Sequence, residues 1–232
     1  MLAIIPARKG SKGLKDKNKL LLLKIPLVAH SIIAAKKSKK ITRVIVSTDC
    51  KDIARIAKKY GAEVPFLRSK KLADDKSMVI DTYFDVIKKI DKKNSIKNFV
   101  ALLPTSPLRS HLDIDKAIKL FYKKKAASVI SMTEAHYPID WNHYIKYNKK
   151  IVRISKKFDA MSNRQKIRKT YIPNGSIYVF DLNILQKTRK YYHRNSYSYL
   201  MPVEKSIDID NKKDFELAEL YLKEKIKNNQ KI

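Results

Sequence analysis

The fold is decided by residues 2–19, Leu-Ala-Ile-Ile-Pro-Ala-Arg-Lys-Gly-Ser-Lys-Gly-Leu-Lys-Asp-Lys-Asn-Lys, in which an apolar run passes directly into a basic loop. Residues 2–5 are apolar at every position, which is typical of a strand buried on both faces of a parallel sheet. Pro6 lacks a backbone N–H group, so the ladder of hydrogen bonds ends there. The following loop is therefore predicted to project from the carboxyl edge of a sheet, where open α/β folds bind ligands.

This loop has the composition of a polyphosphate-binding loop. Gly10 and Gly13 allow the backbone to turn and to approach a ligand closely. Several phosphate charges could be neutralised by its cations, which are Arg8, Lys9, Lys12, Lys15 and Lys17. It is not a Walker A loop, which needs four residues between its glycines followed by Lys and then Ser or Thr. A solvated basic turn is the alternative, but the position directly after the first strand favours phosphate binding.

Strand and helix patterns alternate along the first part of the chain. Apolar residues at helical spacing predict four helices, with the buried faces Val28/Ile32/Ala35, Ile53/Ile56/Ala57/Tyr60, Val79/Tyr83/Val86/Ile90 and Ile114/Ala117/Ile118/Phe121. Short β-type runs between and after them predict strands at 43–47, 99–103 and 128–132. The alternation predicts an α/β fold over residues 1–232, a single domain with a mostly parallel sheet flanked by helices.

A second loop is predicted at the same sheet edge. Pro104 and Pro107 stop the strand at 99–103, so Thr105, Ser106 and Arg109 emerge at its carboxyl end. Because the carboxyl ends of parallel strands share one edge, this loop and the basic loop can face one ligand.

Residues 137–172 break the alternation. Trp141, Tyr144, Tyr147 and Phe158 are scattered among charged residues, with only short β-like pieces between them. The pattern predicts an inserted arm or hairpin. The alternative is a surface excursion whose aromatic residues cap their own subunit.

The chain closes with a strand, an acidic segment and a helix. The strand is predicted at 175–181, and a capping pair, Asn211 and Asp214, predicts the start of the helix. The helix is predicted to bury one stripe, formed by Phe215, Ala218, Leu222 and Ile226.

Composition excludes several classes of protein. No run approaches the ~18 to 20 uncharged apolar residues of a membrane span, and the N-terminus lacks a signal-peptide pattern, so we expect no membrane association and a cytoplasmic location. A single cysteine, Cys50, excludes an intrachain disulfide and a cysteine-based zinc site. The formal charge of +30 comes mostly from Lys residues spread over the whole chain, which indicates a general surface bias rather than a dedicated nucleic-acid-binding face.

Asp208 and Asp210 are candidate metal ligands. They lie two residues apart in a β-like segment, so both carboxylates point to the same face. Two carboxylates this close repel each other unless a cation lies near them, and hard oxygen ligands together with phosphates suit Mg²⁺. Alternatively, the two are acids flanking a helix, with Asp210 stabilising the helix dipole.

Five ordered blocks of the sequence resemble one family. The first approximates A-R-x-x-S-K-G-(I/L)-x-x-K-N and falls on Ala7, Arg8, Ser11, Lys12, Gly13, Leu14, Lys17 and Asn18. The others are residues 46–49 (Val-Ser-Thr-Asp), 104–109 (Pro-Thr-Ser-Pro-Leu-Arg), 173–178 (Pro-Asn-Gly-Ser-Ile-Tyr) and 206–210 (Ser-Ile-Asp-Ile-Asp). Together they cover nearly the whole chain, which resembles the CMP-sialic acid synthetases, or acylneuraminate cytidylyltransferases, including those for legionaminic and pseudaminic acids.

The resemblance implies a Rossmann-like nucleotidyltransferase and a reaction. Such enzymes transfer CMP from CTP to the 2-hydroxyl group of a nonulosonic acid, a 2-keto sugar acid, and release pyrophosphate with the help of Mg²⁺. The resemblance further implies a homodimer to which residues 137–172 contribute. It also makes Asp208 and Asp210 the metal ligands.

The resemblance assigns further roles by position. CTP is expected to be bound by Ala7, Arg8, Ser11, Lys12, Lys17, Asn18, Arg68, Asp75 and Ser77, the last three near the cytosine. The sugar acid is expected to contact Pro104, Thr105, Ser106, Arg109, Arg164, Gln165, Asn174 and Gly175. The catalytic residues are then Arg8, Lys12, Lys17 and Asp208.

Three positions depart from the family pattern. Val79 replaces a hydroxyl residue near the base, Leu103 replaces a Gln expected on the sugar side, and Ile172 replaces an Arg. These changes predict a sugar acid other than N-acetylneuraminate, of the 5,7-diamino type such as legionaminic acid. Two alternative functions remain, another sugar nucleotidyltransferase such as a 3-deoxy-manno-octulosonate cytidylyltransferase, and a basic nucleic-acid-binding protein.

Overall fold

The computed structural model describes residues 1–10, 13–74, 76–154 and 169–227. The strands in these ranges are β1 (Leu2–Pro6), β2 (Leu21–Leu22), β3 (Ile25–Pro26), β4 (Arg43–Ser47), β5 (Asn98–Leu102), β6 (Ser128–Glu134), β7 (His143–Ile145), β8 (Ile151–Arg153), β9 (Tyr171–Asp181) and β10 (Ser196–Leu200). The α-helices are α1 (Leu27–Lys37), α2 (Lys51–Lys59), α3 (Lys70–Ala73), α4 (Val79–Ile90), α5 (His111–Lys124), α6 (Leu182–Thr188) and α7 (Lys212–Lys227).

The central sheet is mostly parallel, as predicted. Its strand order is β10-β6-β9-β5-β1-β4, and β9 runs antiparallel to both of its neighbours. The amino-terminal half of β9 therefore lies at the edge formed by the carboxyl ends of β1, β4, β5 and β6. This edge collects both loops that the sequence places there.

Strand β9 is longer than the sequence predicted. It begins at Tyr171 rather than at residue 175, because its first residues pair with the end of the long strand β6, where Glu134 lies opposite Tyr171. Tyr171 and Ile172, at the end of the predicted inserted arm, therefore belong to the central sheet. The short edge strand β10, which alternates Ser and Tyr, was not predicted.

Helices cover both faces of the sheet, and β1 shows the division. Ala3 and Ile5 pack with residues of α1, α2 and α5, whereas Leu2 and Ile4 pack with residues of α4 and α6. All of these β1 side chains are buried, as expected for a strand covered on both sides.

The predicted face of α4 is confirmed in part, since Tyr83 and Val86 are buried and Ile90 packs partly buried against the same cluster. The helix begins at Val79, which is partly exposed, and its buried residues are Ile80, Thr82, Tyr83, Val86 and Ile87. Val79 was predicted to be buried, but the first buried residue of the helix is its neighbour, Ile80.

A third apolar cluster holds the end of the chain against the sheet edge. It is formed by Leu22, Leu27, Leu108, Ile209, Ala218 and Leu222. The capping pair is confirmed, since the Asp214 N–H donates to Asn211 Oδ1 at 3.1 Å and the Asn211 N–H donates to Asp214 Oδ2 at 3.0 Å. Ile226, predicted as part of the buried stripe, is half exposed. This packing fixes the segment that carries Asp208 and Asp210.

Part of the region 137–172 forms a β-hairpin. Strands β7 and β8 pair antiparallel and form a separate two-stranded sheet. Phe158, predicted with this region, lies outside the described residues. No helix in the described ranges is long and apolar enough to span a membrane.

Candidate active site

A pocket lies at the carboxyl edge of the sheet, between the loops that follow β1 and β5. Its volume is about 290 Å³. Its lining includes the predicted nucleotide-binding residues Arg8, Arg68 and Ser77, together with Leu103 and Thr105 from the loop after β5. The structure thus brings residues from three separate parts of the sequence to one cavity.

Arg68 is held rigidly at the wall of this pocket. Its Nη2 donates to the Ser47 carbonyl at 2.6 Å, and its Nε donates to Ser47 Oγ at 3.2 Å. Burial lowers the pKa of the Arg68 guanidinium to about 10, and the charge of Asp49 partly opposes this effect. At neutral pH, Arg68 is therefore a fixed cation that lines the pocket.

The loop after β1 is tied to its surroundings through its backbone. The Lys9 N–H donates to Asp49 Oδ1 at 2.8 Å, and Asn18 Nδ2 donates to the Arg8 carbonyl at 2.9 Å. Asn18, expected to contact CTP, therefore supports the backbone of the loop. Ala7 is buried, and its N–H continues the ladder to the Ser47 carbonyl at 2.9 Å.

Lys17 joins this loop to the acidic segment near the C-terminus. Its buried Nζ donates to the Ile209 carbonyl at 2.5 Å and to Asp210 Oδ1 at 2.9 Å. Gly13 packs against the same segment, because a Cβ added to it would lie 2.1 Å from the backbone oxygen of Asp210. Only a residue without a side chain fits there.

Asp208 lies beside the start of β9, where its carboxylate is partly desolvated although the residue still reaches solvent. Burial raises the pKa of its carboxyl group, a hydrogen bond with the Thr105 side chain opposes the rise, and the nearby charge of Asp210 adds to it. Gly175 has a φ of 70°, and a Cβ there would lie 2.9 Å from Asp208 Oδ2. Glycine is required at 175 for both reasons.

The two carboxylates are suited to a hard divalent cation. Both residues reach solvent, but surrounding atoms partly desolvate the Asp208 carboxylate, whereas the Asp210 side chain is 77% exposed. No group of three or more His, Cys, Asp or Glu residues that could hold a metal occurs in the described part of the chain. Mg²⁺ usually binds one or two carboxylates and takes its other ligands from phosphates and water, so a pair of carboxylates is a fitting donor set.

Several residues predicted to bind the sugar form the framework beneath the site. Asn174 is buried, where its Oδ1 accepts from Ser131 Oγ at 2.6 Å and its Nδ2 donates to Ser206 Oγ at 2.9 Å. Ser106 is also buried and donates to the Asn174 carbonyl at 3.1 Å. Pro104 and Thr105 line the pocket itself.

The remaining predicted site residues lie outside the part of the chain that the structure describes. They are Ser11, Lys12, Asp75, Arg164 and Gln165.

Sequence reasoning missed the role of Ser47. Leu103, expected on the sugar side, and Val79 line the same pocket as Arg68 and Ser77. Ser47 holds Arg68, although no role was predicted for it. Its position at the carboxyl end of a buried strand is a signal that could have identified it.

Comparison with known proteins decides the family. The sequence model of the family described as "Cytidylyltransferase" matches residues 2–230. The chain belongs to this family. Members are nucleotidyltransferases, so the enzyme class predicted from the sequence is confirmed.

Two relatives match over the whole chain. An N-acylneuraminate cytidylyltransferase of Escherichia coli is 37% identical over all of this chain and 54% of its own length. A CMP-N,N'-diacetyllegionaminic acid synthase of Legionella pneumophila is 37% identical, and the match covers 94% of each chain. This cytidylyltransferase thus spans about half of the first relative and nearly all of the second.

The fold also matches a solved structure. A CMP:2-keto-3-deoxy-manno-octonic acid synthetase complexed with CTP superposes with a TM-score of 0.72, covering 97% of this chain and 98% of the other. At 14% identity, the match supports the fold alone. It confirms the predicted Rossmann-like α/β architecture of this cytidylyltransferase.

Gly13→Ala should weaken nucleotide binding while leaving the protein folded. The added Cβ meets the backbone of Asp210, so the loop must move away from the acidic segment. We expect the dissociation constant for CTP, measured by calorimetry, to rise by at least about tenfold, or about 1.4 kcal/mol.

Gly10→Ala is the matched control, because a Cβ at Gly10 meets nothing within 4 Å. Equal effects of the two substitutions would contradict the packing of Gly13 as the cause.

Proposed function

We propose that this protein transfers CMP from CTP to the 2-hydroxyl group of a nonulosonic acid and releases pyrophosphate. One observation carries the proposal. The pocket that contains Arg8 and Arg68 meets the acidic segment of Asp208 and Asp210 at one sheet edge through Thr105. This residue lines the pocket, and its carbonyl accepts from the N–H of Ile209, between the two acids, at 2.8 Å. The printed names of the two sequence relatives, an N-acylneuraminate cytidylyltransferase and a CMP-legionaminic acid synthase, support the same reaction.

The pocket suits the nucleotide. Arg68 is a fixed cationic donor for polar groups of a cytosine ring, while Leu103 and Val79 supply apolar wall. Arg8 lines the same pocket at the end that leads to the β1 loop, where we place the triphosphate. Ser11 and Lys12 remain proposed triphosphate ligands from the sequence pattern.

Transfer requires a bond between the sugar 2-oxygen and the α-phosphorus to form while the bond to the pyrophosphate oxygen breaks. The protein must hold the two reactants in line and stabilise the negative charge that develops on the phosphate oxygens. Arg8 and Lys17 are the described cations proposed for this charge. The hydroxyl proton is released to solvent water, and we assign no residue as its base.

Asp208 and Asp210 are the residues that we propose to hold Mg²⁺. The bound ion would neutralise charge on the phosphates and polarise the reacting oxygens. Lys17 now neutralises Asp210, and its second bond to the Ile209 carbonyl keeps its ammonium group at the site.

The proposed reaction consumes CTP, so we also propose a cytoplasmic location.

The alternative to a nonulosonic acid as the substrate is 3-deoxy-manno-octulosonate. It rests on likeness of fold, whereas the nonulosonic acids rest on sequence relatives that match at least 94% of this chain.

The test of the function is a pyrophosphate-release assay. Each nucleoside triphosphate is combined with N-acetylneuraminate, legionaminic acid, pseudaminic acid and 3-deoxy-manno-octulosonate. We expect turnover that requires CTP and Mg²⁺, with the largest kcat/KM for a 5,7-diamino acid, because Ile172 leaves an exposed apolar group near the predicted sugar region.

Faster turnover with GTP or UTP than with CTP would overturn the proposed reaction. A larger kcat/KM for N-acetylneuraminate would overturn the sugar preference alone.

Asp208→Asn should reduce activity more than Asp210→Asn. The Asp208 carboxylate lies close to Gly175 and is partly desolvated there, whereas the Asp210 side chain is 77% exposed and paired with Lys17. We expect Asp208→Asn to lower kcat by at least about a hundredfold and to raise the Mg²⁺ concentration needed for half-maximal activity. Equally small effects of both changes would favour two acids that merely flank α7.

We also propose a homodimer formed through the β7–β8 hairpin. Tyr144 and Ile151 on this hairpin are 64% and 65% exposed, and further apolar residues around them are also exposed. Such a patch is typical of an interaction surface.

Sedimentation should show twice the mass of one chain, and the double change Tyr144→Ser with Ile151→Ser should yield monomers. Tyr122→Ser is the control, since Tyr122 is 55% exposed on α5, outside the hairpin. A wild-type monomer at micromolar concentration would exclude the dimer.

A further inference from the structure

Arg109 is a buried cation whose donors all point into the protein. Only 3% of the residue is exposed. Its Nη1 donates to the Ser106 carbonyl at 2.5 Å, and its Nη2 donates to the Leu103 carbonyl at 2.8 Å. Nη2 also donates to Ser31 Oγ on α1. The guanidinium therefore ties both ends of the turn 103–106 and fastens it to a helix.

This arrangement is energetically demanding. Removing a cation from water costs several kcal/mol, even in a protein that adapts around it. Burial lowers the pKa of Arg109 to about 9, against the opposing charges of Asp113 and Asp208. No carboxylate in the described part of the chain forms an ion pair with Arg109 within 4.0 Å, so backbone carbonyls and one hydroxyl supply the compensation.

The turn held by Arg109 connects the two halves of the site. Leu103 and Thr105 line the pocket proposed for the nucleotide. The Thr105 carbonyl accepts from the Ile209 N–H at 2.8 Å, and Ile209 directly follows Asp208 in the chain. A shift of this turn would therefore move the pocket wall and the Asp208 carboxylate relative to each other.

We propose that Arg109 is a positioning residue, which acts by fixing the carbonyls of Leu103 and Ser106 so that Thr105 holds Asp208 in register with the nucleotide pocket. It does not touch the substrate, in contrast to the sugar contact expected from the sequence. The planar geometry of the guanidinium group matters as well as its charge, because it must donate to two carbonyls on one turn at fixed angles. This inference rests on the proposed function.

Arg109→Lys keeps the charge and removes the planar guanidinium group, so it tests the geometry of the donors. Arg109→Ala leaves a cavity that added guanidinium ion could occupy. We expect Arg109→Lys to fold and to lose at least about tenfold in kcat, with a smaller rise in KM for CTP. Added guanidinium ion at low millimolar concentration should restore part of the activity of Arg109→Ala, whereas equal concentrations of ammonium ion should not.

Hydrogen exchange gives a readout that needs no substrate. In both variants, the Ile209 amide, which donates to Thr105, should exchange faster, while amides of β1 and β4 keep their protection. Arg43→Lys is the control, since Arg43 is a half-exposed residue at the amino end of β4, paired with Glu63. It should leave kcat and the Ile209 amide unchanged.

The proposal is overturned if Arg109→Lys keeps kcat within about twofold of wild type. It is also overturned if the Arg109 variants lose activity together with hydrogen-exchange protection across the whole sheet, and added guanidinium ion restores no activity to Arg109→Ala. If no Arg109 variant folds, Ser31→Ala decides, because it removes one acceptor of the guanidinium, and an unchanged kcat would overturn the proposal. Wild-type protein without cytidylyl transfer would instead reject the proposed function, and the Ile209 exchange would still test Arg109.

Discussion

The site depends on one ammonium group, that of Lys17. It bonds to the carbonyl of Ile209, which lies 192 positions further along the chain, and to the carboxylate of Asp210. The cation lies where two acids, Asp208 and Asp210, would otherwise repel each other. The close approach of Gly13 to the same backbone completes the contact. The first loop of the protein and its last acidic segment are thus fixed to one another before any ligand is considered.

Buried cations recur around the site with a common kind of partner. Lys17, Arg68 and Arg109 each donate to a backbone carbonyl, and only Lys17 also bonds to a carboxylate. Carbonyl oxygens satisfy the donors without cancelling their charge. The edge therefore retains a positive potential in a partly water-excluded place, where electrostatic interactions with phosphates are stronger than in bulk water. The overall charge of +30 is a less specific property, because it is spread over the surface.

Local patterns were sufficient to predict the frame of the molecule. Apolar runs and proline stops predicted β1, β4 and β5 with both loops at one edge, because these signals depend on a few neighbouring residues. The length of β9 and the existence of β10 depend on pairing with β6, which no local pattern encodes. The same limit applies to Arg109. Its sequence position correctly predicted the sheet edge, but whether the side chain faced ligand or protein depended on carbonyls brought there by the tertiary fold.

The placement of Leu103 changes how the departures from the family pattern should be interpreted. Leu103 and Val79 line the pocket that contains Arg68 and Ser77, so their apolar side chains lie where we propose that the nucleotide binds. An apolar wall can pack against the face of a ring, while Arg68 supplies polar contacts at a fixed position. A missing hydroxyl group at 79 therefore removes a polar contact there without removing the pocket. The argument for an unusual sugar acid then rests on Ile172, which stays exposed at the start of β9, two residues from the buried Asn174. Under the proposed function, nucleotide choice and sugar choice depend on different parts of one sheet edge, so substitutions at 103 and 172 should affect them separately.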